Sequence, residues 1–399
     1  MTFTRYESPS IEVAALIDTI MELRPQLAAN GAIADRDNTD SAANFALIRE
    51  SGVNRLLVPR SHGGAFWNGE FFDGWGTYVR AATELITGDG PTGQNWGTTA
   101  LVIREVFASG LPESTKTEVA RRVRDEGLRL VASNSEAGSP QKVVARKTSD
   151  GVILSGTKTF NSNSGGLGIA NVAALLFEEG AMSPHHVLVE LNHPDVELHH
   201  DWDVMGQRGT YSQSITYHDV FVPDGWHYPS EGRPPALFGA VMILHAGVQQ
   251  GIGEGALHAA VEYVRTLNRG TMPQFDTAAD DLLVLRRIGE ISSKLSASKA
   301  MLLQSADQLE LRHGSDDIGK VIIDGYRAKV ACLESSLFAA QELYELTGAR
   351  SLANKNRFDR FWRNARSFAT HDPTDAKNIY VGMYEVTGEL PPMSALLRV

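Results

Sequence analysis

His371 and Asp372 sit side by side, directly in front of Pro373. A histidine with an unperturbed pKa near ~6.5 exchanges protons at neutral pH, and an adjacent carboxylate can orient or charge-stabilise it. The residues before this pair read as a helix. Phe358, Phe361, Trp362, Ala365, Phe368 and Ala369 recur at the i, i+3, i+4, i+7 spacing of one face. Arg357, Arg360, Arg363 and Arg366 follow a neighbouring face. Pro373 disfavours helical backbone at Asp372, so the spacing predicts a helix end near His371. Such a helix would bury its aromatics and aim the His-Asp pair. From spacing alone, a core helix with a solvated basic edge is the plainer reading.

The elements that must hold this pair change character along the chain. Residues 1–128 are mostly helical in pattern, with helix candidates at 73–86 and 98–109. Residues 129–225 carry short β-type runs separated by turn residues, such as Leu128–Val131, Gly151–Leu154 and Val172–Phe177. Residues 226–399 return to long helical patterns at 256–267, 280–311 and 319–346, followed by the signature helix. Gly251-Ile252-Gly253-Glu254-Gly255 follows no strand and has no acidic partner in a βαβ unit, so it reads as a close-packed helix and not a dinucleotide loop. The pairs His185-His186 and His199-His200 match no zinc spacing, and no metal is assigned.

Composition narrows the function classes. The chain has 399 residues, long enough for two or three layers or domains. A net charge of −11 argues against nucleic-acid binding. No run of about 18 apolar residues is present, which argues against a membrane span. Met1–Pro9 lacks the apolar core of a signal peptide. The single cysteine, Cys332, excludes an intrachain disulfide and suits a reducing cytoplasm.

Several segments together resemble the acyl-CoA dehydrogenase superfamily, in the flavin-dependent monooxygenase branch that includes dibenzothiophene monooxygenase. They are Leu154–Ser162, Asp201–Thr210 leading into Val220-Phe221-Val222-Pro223, the Leu57-Val58-Pro59 turn with Gly63-Gly64, and the Arg357–Pro373 helix. The resemblance implies an α+β fold with an N-terminal helical domain, a central β-domain and a C-terminal four-helix bundle. It implies a flavin between the last two. Ser133, Asn134, Ser135 and Ser139 resemble the superfamily's flavin loop, with Phe160 and Asn161 on the neighbouring strand. Read without the resemblance, that loop is an ordinary polar turn.

Dehydrogenases that hold FAD carry an Arg-x-x-Phe-Gly pattern where this chain has Arg269-Gly270-Thr271-Met272. That departure points to FMN, supplied as FMNH2, with FADH2 as the second choice. Arg265, Arg269 and Arg350 are then phosphate-binding candidates; each also reads as a surface ion pair. Trp96, Phe160 and Trp202 are candidates for a water-excluding wall, and Thr98 for substrate contact. Ser162 is a candidate hydrogen-bond donor, and His371 with Asp372 the acid/base.

The implied activity is a two-component monooxygenase. A separate NAD(P)H-flavin reductase supplies reduced flavin, dioxygen gives a C4a-hydroperoxide, and a small organic substrate is oxygenated at S, N or aromatic C. Thr98 and Ala132 stand where the sulfur-oxidising relative has tyrosine and asparagine, which leaves the oxygenated atom open. The implied assembly is a homotetramer. The alternative is a flavin oxidase or dehydrogenase of the nitroalkane oxidase type with Asp372 as base.

Overall fold

The computed structural model describes residues 10–139, 142–230 and 234–392. The expectation placed on Met1–Pro9 lies outside them.

Helices α1 (Ile11–Asp37), α2 (Ala42–Glu50), α3 (Trp75–Gly88), α4 (Gly90–Ala108) and α5 (Glu113–Arg121) form the N-terminal layer. Asp89 separates α3 from α4, and its carboxylate accepts the Thr92 N–H at 3.2 Å, capping α4. That cap starts α4 well before the expected residue 98.

The central sheet contains β1 (Arg129–Ser133), β2 (Val144–Lys147), β3 (Gly151–Asn161), β4 (Gly168–Glu178), β5 (Ala181–Glu190), β6 (Val196–Leu198), β7 (Gln213–Pro223) and β8 (His227–Pro229). Its order is β6-β7-β3-β2-β4-β5-β8, with β1 also on β4. β8 lies past residue 225, where the expected β-segment stops. Two parallel strands share one edge of β4: β1 pairs with Gly168–Val172 and β2 with Leu175–Phe177. The chain between them must leave the sheet there, which lifts the Asn134–Ser139 loop beside the end of β3. β3 carries a register shift between Lys158 and Asn161. Phe160, inside that shift, has φ +57° and its ring is 58% exposed.

Helices α6 (Ala236–Val264), α7 (Leu282–Arg312), α8 (Ile318–Thr347), α9 (Asp359–Ala369) and α10 (Thr374–Thr387) form the C-terminal layer. α6 takes in both the Gly251–Gly255 stretch read as a close-packed helix and the 256–267 pattern, and begins at Ala236. A Cβ at Gly251 would lie 2.5 Å from Ile86 of α3, and one at Gly253 would lie 2.9 Å from Ser336 of α8. α6 is apolar enough to resemble a membrane span, but α3, α7 and α8 bury it. Gly239 meets Ile322 and Gly253 meets Ser336, so α6 and α8 run parallel with their C-termini at one end. α7 runs against them: Ser305 Oγ donates to Asp324 O, and Cys332 Sγ to Ser298 O.

Candidate active site

α9 stops at Ala369, and Pro373 caps α10 from outside the helix, where its missing N–H leaves no hydrogen bond unmade. His371 and Asp372 occupy the tight corner between these helices. The corner is pressed against α6 and α8 and meets a histidine and two lysines there. Asp372 Oδ1 takes the ammonium group of Lys329 on α8, and Oδ2 takes that of Lys377 on α10. The Nδ1 atoms of His245 on α6 and of His371 lie 3.8 Å and 3.9 Å from Oδ1. The two imidazoles meet edge to face, 4.6 Å between centroids, and Phe368 packs on His245 at 5.1 Å.

Burial opposes the Asp372 charge, but His245 and Lys329 more than offset it and hold the carboxyl well below its ordinary range. Burial pushes the Lys329 ammonium down to about 8, against the pull of Asp372. The His371 imidazole is held below its usual value, first by desolvation and then by His245. Its ring is still 56% exposed, so it remains open to a ligand or to water.

The polar loop beside β3 supplies a second surface. Asn134 Oδ1 is buried without a hydrogen-bond partner among the described residues. The open ring of Phe160 meets the edge of Trp202 at 6.2 Å. Thr210 Oγ1 donates to Gln207 O, and its hydroxyl pairs with Ser212 at 2.7 Å. Thr210 has one proton to give, so Ser212 must donate to it, and Ser162 in turn must donate to Ser212 at 2.7 Å. Ser162 therefore presents a lone pair to any ligand, and the expected hydrogen-bond donor is an acceptor.

The loop surface offers an aromatic ring and an amide oxygen, and the corner offers an exposed imidazole. Residues 243–376 match the acyl-CoA dehydrogenase C-terminal domain. The chain is 29% identical over 385 residues to a dibenzothiophene monooxygenase of Rhodococcus qingshengii, covering 90% of this chain and 89% of that protein. A Pseudomonas putida protein named as an FMNH2-dependent monooxygenase is 27% identical over 377 residues, covering 90% and 91%. The indole-bound structure of TdsC from Paenibacillus sp. A11-2 superposes with a TM-score of 0.83 at 25% identity, covering 94% of this chain and 98% of that one. Residues 243–376 thus carry the acyl-CoA dehydrogenase C-terminal domain, and the chain as a whole is similar to these monooxygenases and shares the fold of TdsC.

The expected site residues do not all share one surface. Ser133 is fully buried, its hydroxyl held by Asn161 Oδ1 at 2.7 Å and Tyr217 at 3.1 Å. Asn161 donates to Lys158 O and Gln213 O. Both residues brace the loop from inside, and Phe160 is exposed. Ser135 holds the loop through Thr159, and Ser139 through Thr157 O. Trp96 is placed in the helical core and not on an open wall. It is 1% exposed, and its indole donates to Asn54 at 3.2 Å. Thr98 is half-buried on α4 and donates to Gln94 O. Trp202 donates to Gln207 O and keeps its edge toward Phe160.

Arg265, Arg269 and Arg350 are exposed at the C-terminal ends of α6 and α8, and Arg265 pairs with Glu262. Arg265 caps α6 twenty residues beyond His245, about 30 Å along the helix axis. The arginines of α9 are not a solvated edge. Arg360 donates to Ala28 O at 2.7 Å, Arg357 and Arg363 clamp Asp35, and Arg366 alone of the four is exposed. Trp362 is partly exposed where a buried position was expected.

His245, Lys329 and Lys377 escaped the sequence reading. The available signal was a lone histidine or lysine inside an apolar helical run, as at Ile243–Ala246 and Ala328–Val330. His245, His371 and Asp372 bring ligand atoms within 4.8 Å of one another, as a cation site would. Two ammonium groups already occupy the carboxylate, and a divalent ion would meet their repulsion.

Proposed function

We propose that this protein is a two-component flavin monooxygenase that takes FMNH2 from a separate NAD(P)H-flavin reductase and uses dioxygen to oxygenate a small organic substrate. The observation that carries the choice of acid/base is the corner at Asp372. A carboxylate held by Lys329 and Lys377 has little affinity for a proton and is shielded, whereas the half-exposed imidazole beside it has open access to substrate. This disfavours the alternative with Asp372 as base. Bound reduced flavin would supply oxygen activation, the chemistry that no side chain provides.

The chain's own residues supply the rest. Asn134 and Phe160 hold the ring face and edge, and Ser162 offers an acceptor. Phe160 and Trp202 exclude water from one side. His371 Nδ1 faces Asp372, which leaves Nε2 to take a proton from substrate or return one. The names of the relatives favour a sulfur compound or an indole-like aromatic as substrate.

Arg265 and Arg269 lie farther from His371 than a flavin mononucleotide reaches from ring to phosphate. They serve as phosphate contacts only from a neighbouring subunit, which supports a homotetramer. The test is anaerobic titration with FMNH2 and with FMN, alongside light scattering. The reading predicts a nearly colourless protein, tighter binding of the reduced form and a tetramer. Stoichiometric FAD surviving gel filtration, or a monomer at micromolar concentration, would contradict it.

A further inference from the structure

Four basic side chains from α6, α8, the α9–α10 corner and α10 converge on the one Asp372 carboxylate. We propose that Lys329, with Lys377, is a positioning residue: the two ammonium groups hold Asp372 as a fixed anion, so that His371 reaches the cleft as a neutral imidazole. The inference rests on the reading of His371 as the proton-handling group.

Lys329 is 1% exposed and Lys377 3%, and among the described residues Asp372 is the carboxylate both pair with. Two buried ammonium groups around one carboxylate leave an excess positive charge. Tyr326 on α8 and Tyr380 on α10 also face this centre, their rings 6.3 Å apart. Burial pushes the Tyr326 hydroxyl up, so it adds no anion to the centre. Such an arrangement is poor as a stability device, because burying charges loses more hydration than a single pair returns. It does control the histidines. Their Nδ1 atoms lie 3.8 and 3.9 Å from an oxygen that Lys329 already occupies, beyond hydrogen-bond length. Asp372 still pulls both imidazoles toward their protonated forms, and desolvation outweighs that pull at each. The charges of Lys329 and Lys377 both act to keep His371 neutral.

The test needs neither flavin nor turnover. The ring carbons of ¹³C-labelled histidine are titrated by NMR in the purified full-length protein, with His371 and His245 assigned by their loss in His371→Gln and His245→Gln. In the wild type, His371 stays neutral through the physiological range. Lys329→Met should move its midpoint up by about one pH unit or more, and Lys329→Arg should stay near the wild type. Lys377→Met, on the outer helix α10, should move it in the same direction and carries the test if Lys329→Met does not fold. Unchanged midpoints in the methionine variants, or an arginine variant that shifts as far as methionine, would overturn the proposal. Loss of FMNH2-dependent oxygenation in the wild type would instead sink the functional reading and leave this titration intact.

Discussion

Asp35 and Asp372 pose the same electrostatic problem and receive different solutions. Each is a shielded carboxylate between two cationic side chains. At Asp35, on α1, the cations are arginines. Arg363 binds both oxygens at 2.8 and 2.6 Å, and Arg357 adds a contact at 2.5 Å. Planar, permanently charged forks saturate the carboxylate and tie the signature helix to the N-terminal layer. Burial would raise the Asp35 carboxyl, and the hydrogen bonds from Arg363 and Arg357 overcome it. At Asp372 the cations are lysines, which are tunable when buried, and two titratable imidazoles stand just beyond hydrogen-bond length. His245 Nδ1 is buried there without a partner. A saturated clamp fixes structure. A centre with unsatisfied, titratable neighbours can move protons.

The largest expected effects separate the two centres. His371→Ala should lower product formation by roughly 10²–10⁴-fold, with thermal stability and FMNH2 binding nearly unchanged, because Phe361 and Phe368 anchor the helix. Asp35→Ala should do the reverse. Leaving Arg357 and Arg363 without their anion should destabilise the protein by about 3–5 kcal/mol, read by denaturant unfolding, while turnover per folded molecule is kept. Equal losses of activity in the two variants would erase the distinction.

A smaller effect concerns pH. His245 is buried and its folded pKa is lowered, first by desolvation. The unfolded chain therefore binds a proton below about pH 6.5 that the native chain refuses, so stability falls as pH drops through that value, by at most about 1.4 kcal/mol per pH unit for this group. Asp35 and Asp372, both depressed, add a further loss as their unfolded forms protonate near pH 4. Melting temperature measured against pH should show the first step, to which the depressed His371, His185 and His258 also contribute, and His245→Gln should make it smaller. The smallest effect is expected at Trp96. As a core residue, Trp96→Phe should cost about 1–3 kcal/mol of stability and change the steady-state constants little; a large rise in KM would return it to the pocket.

The order of helices, strands and helices was legible in the sequence because periodicity reports burial. α8 was expected at 319–346 and runs Ile318–Thr347. The glycines of α6 were legible as close packing, but their partners on α3 and α8 appear only in the tertiary contacts. His371 and Asp372 were legible from Pro373 and from the resemblance. Their partners were not, since His245 and Lys329 come from helices 126 and 42 residues away and are joined only by packing. The hydroxyl chain that joins Ser162 to Ser212 and Thr210 has no local pattern to announce it.

The most direct test is a single turnover with FMNH2 and ¹⁸O₂, using substrates of the sulfur-heterocycle and indole classes named for the relatives, in the wild type, His371→Ala and Asp372→Asn. The account predicts one ¹⁸O atom in the wild-type product, a reduced yield with Asp372→Asn, and near-complete loss with hydrogen peroxide release in His371→Ala. Abolished turnover in Asp372→Asn with most activity kept in His371→Ala would contradict it and make the aspartate the base.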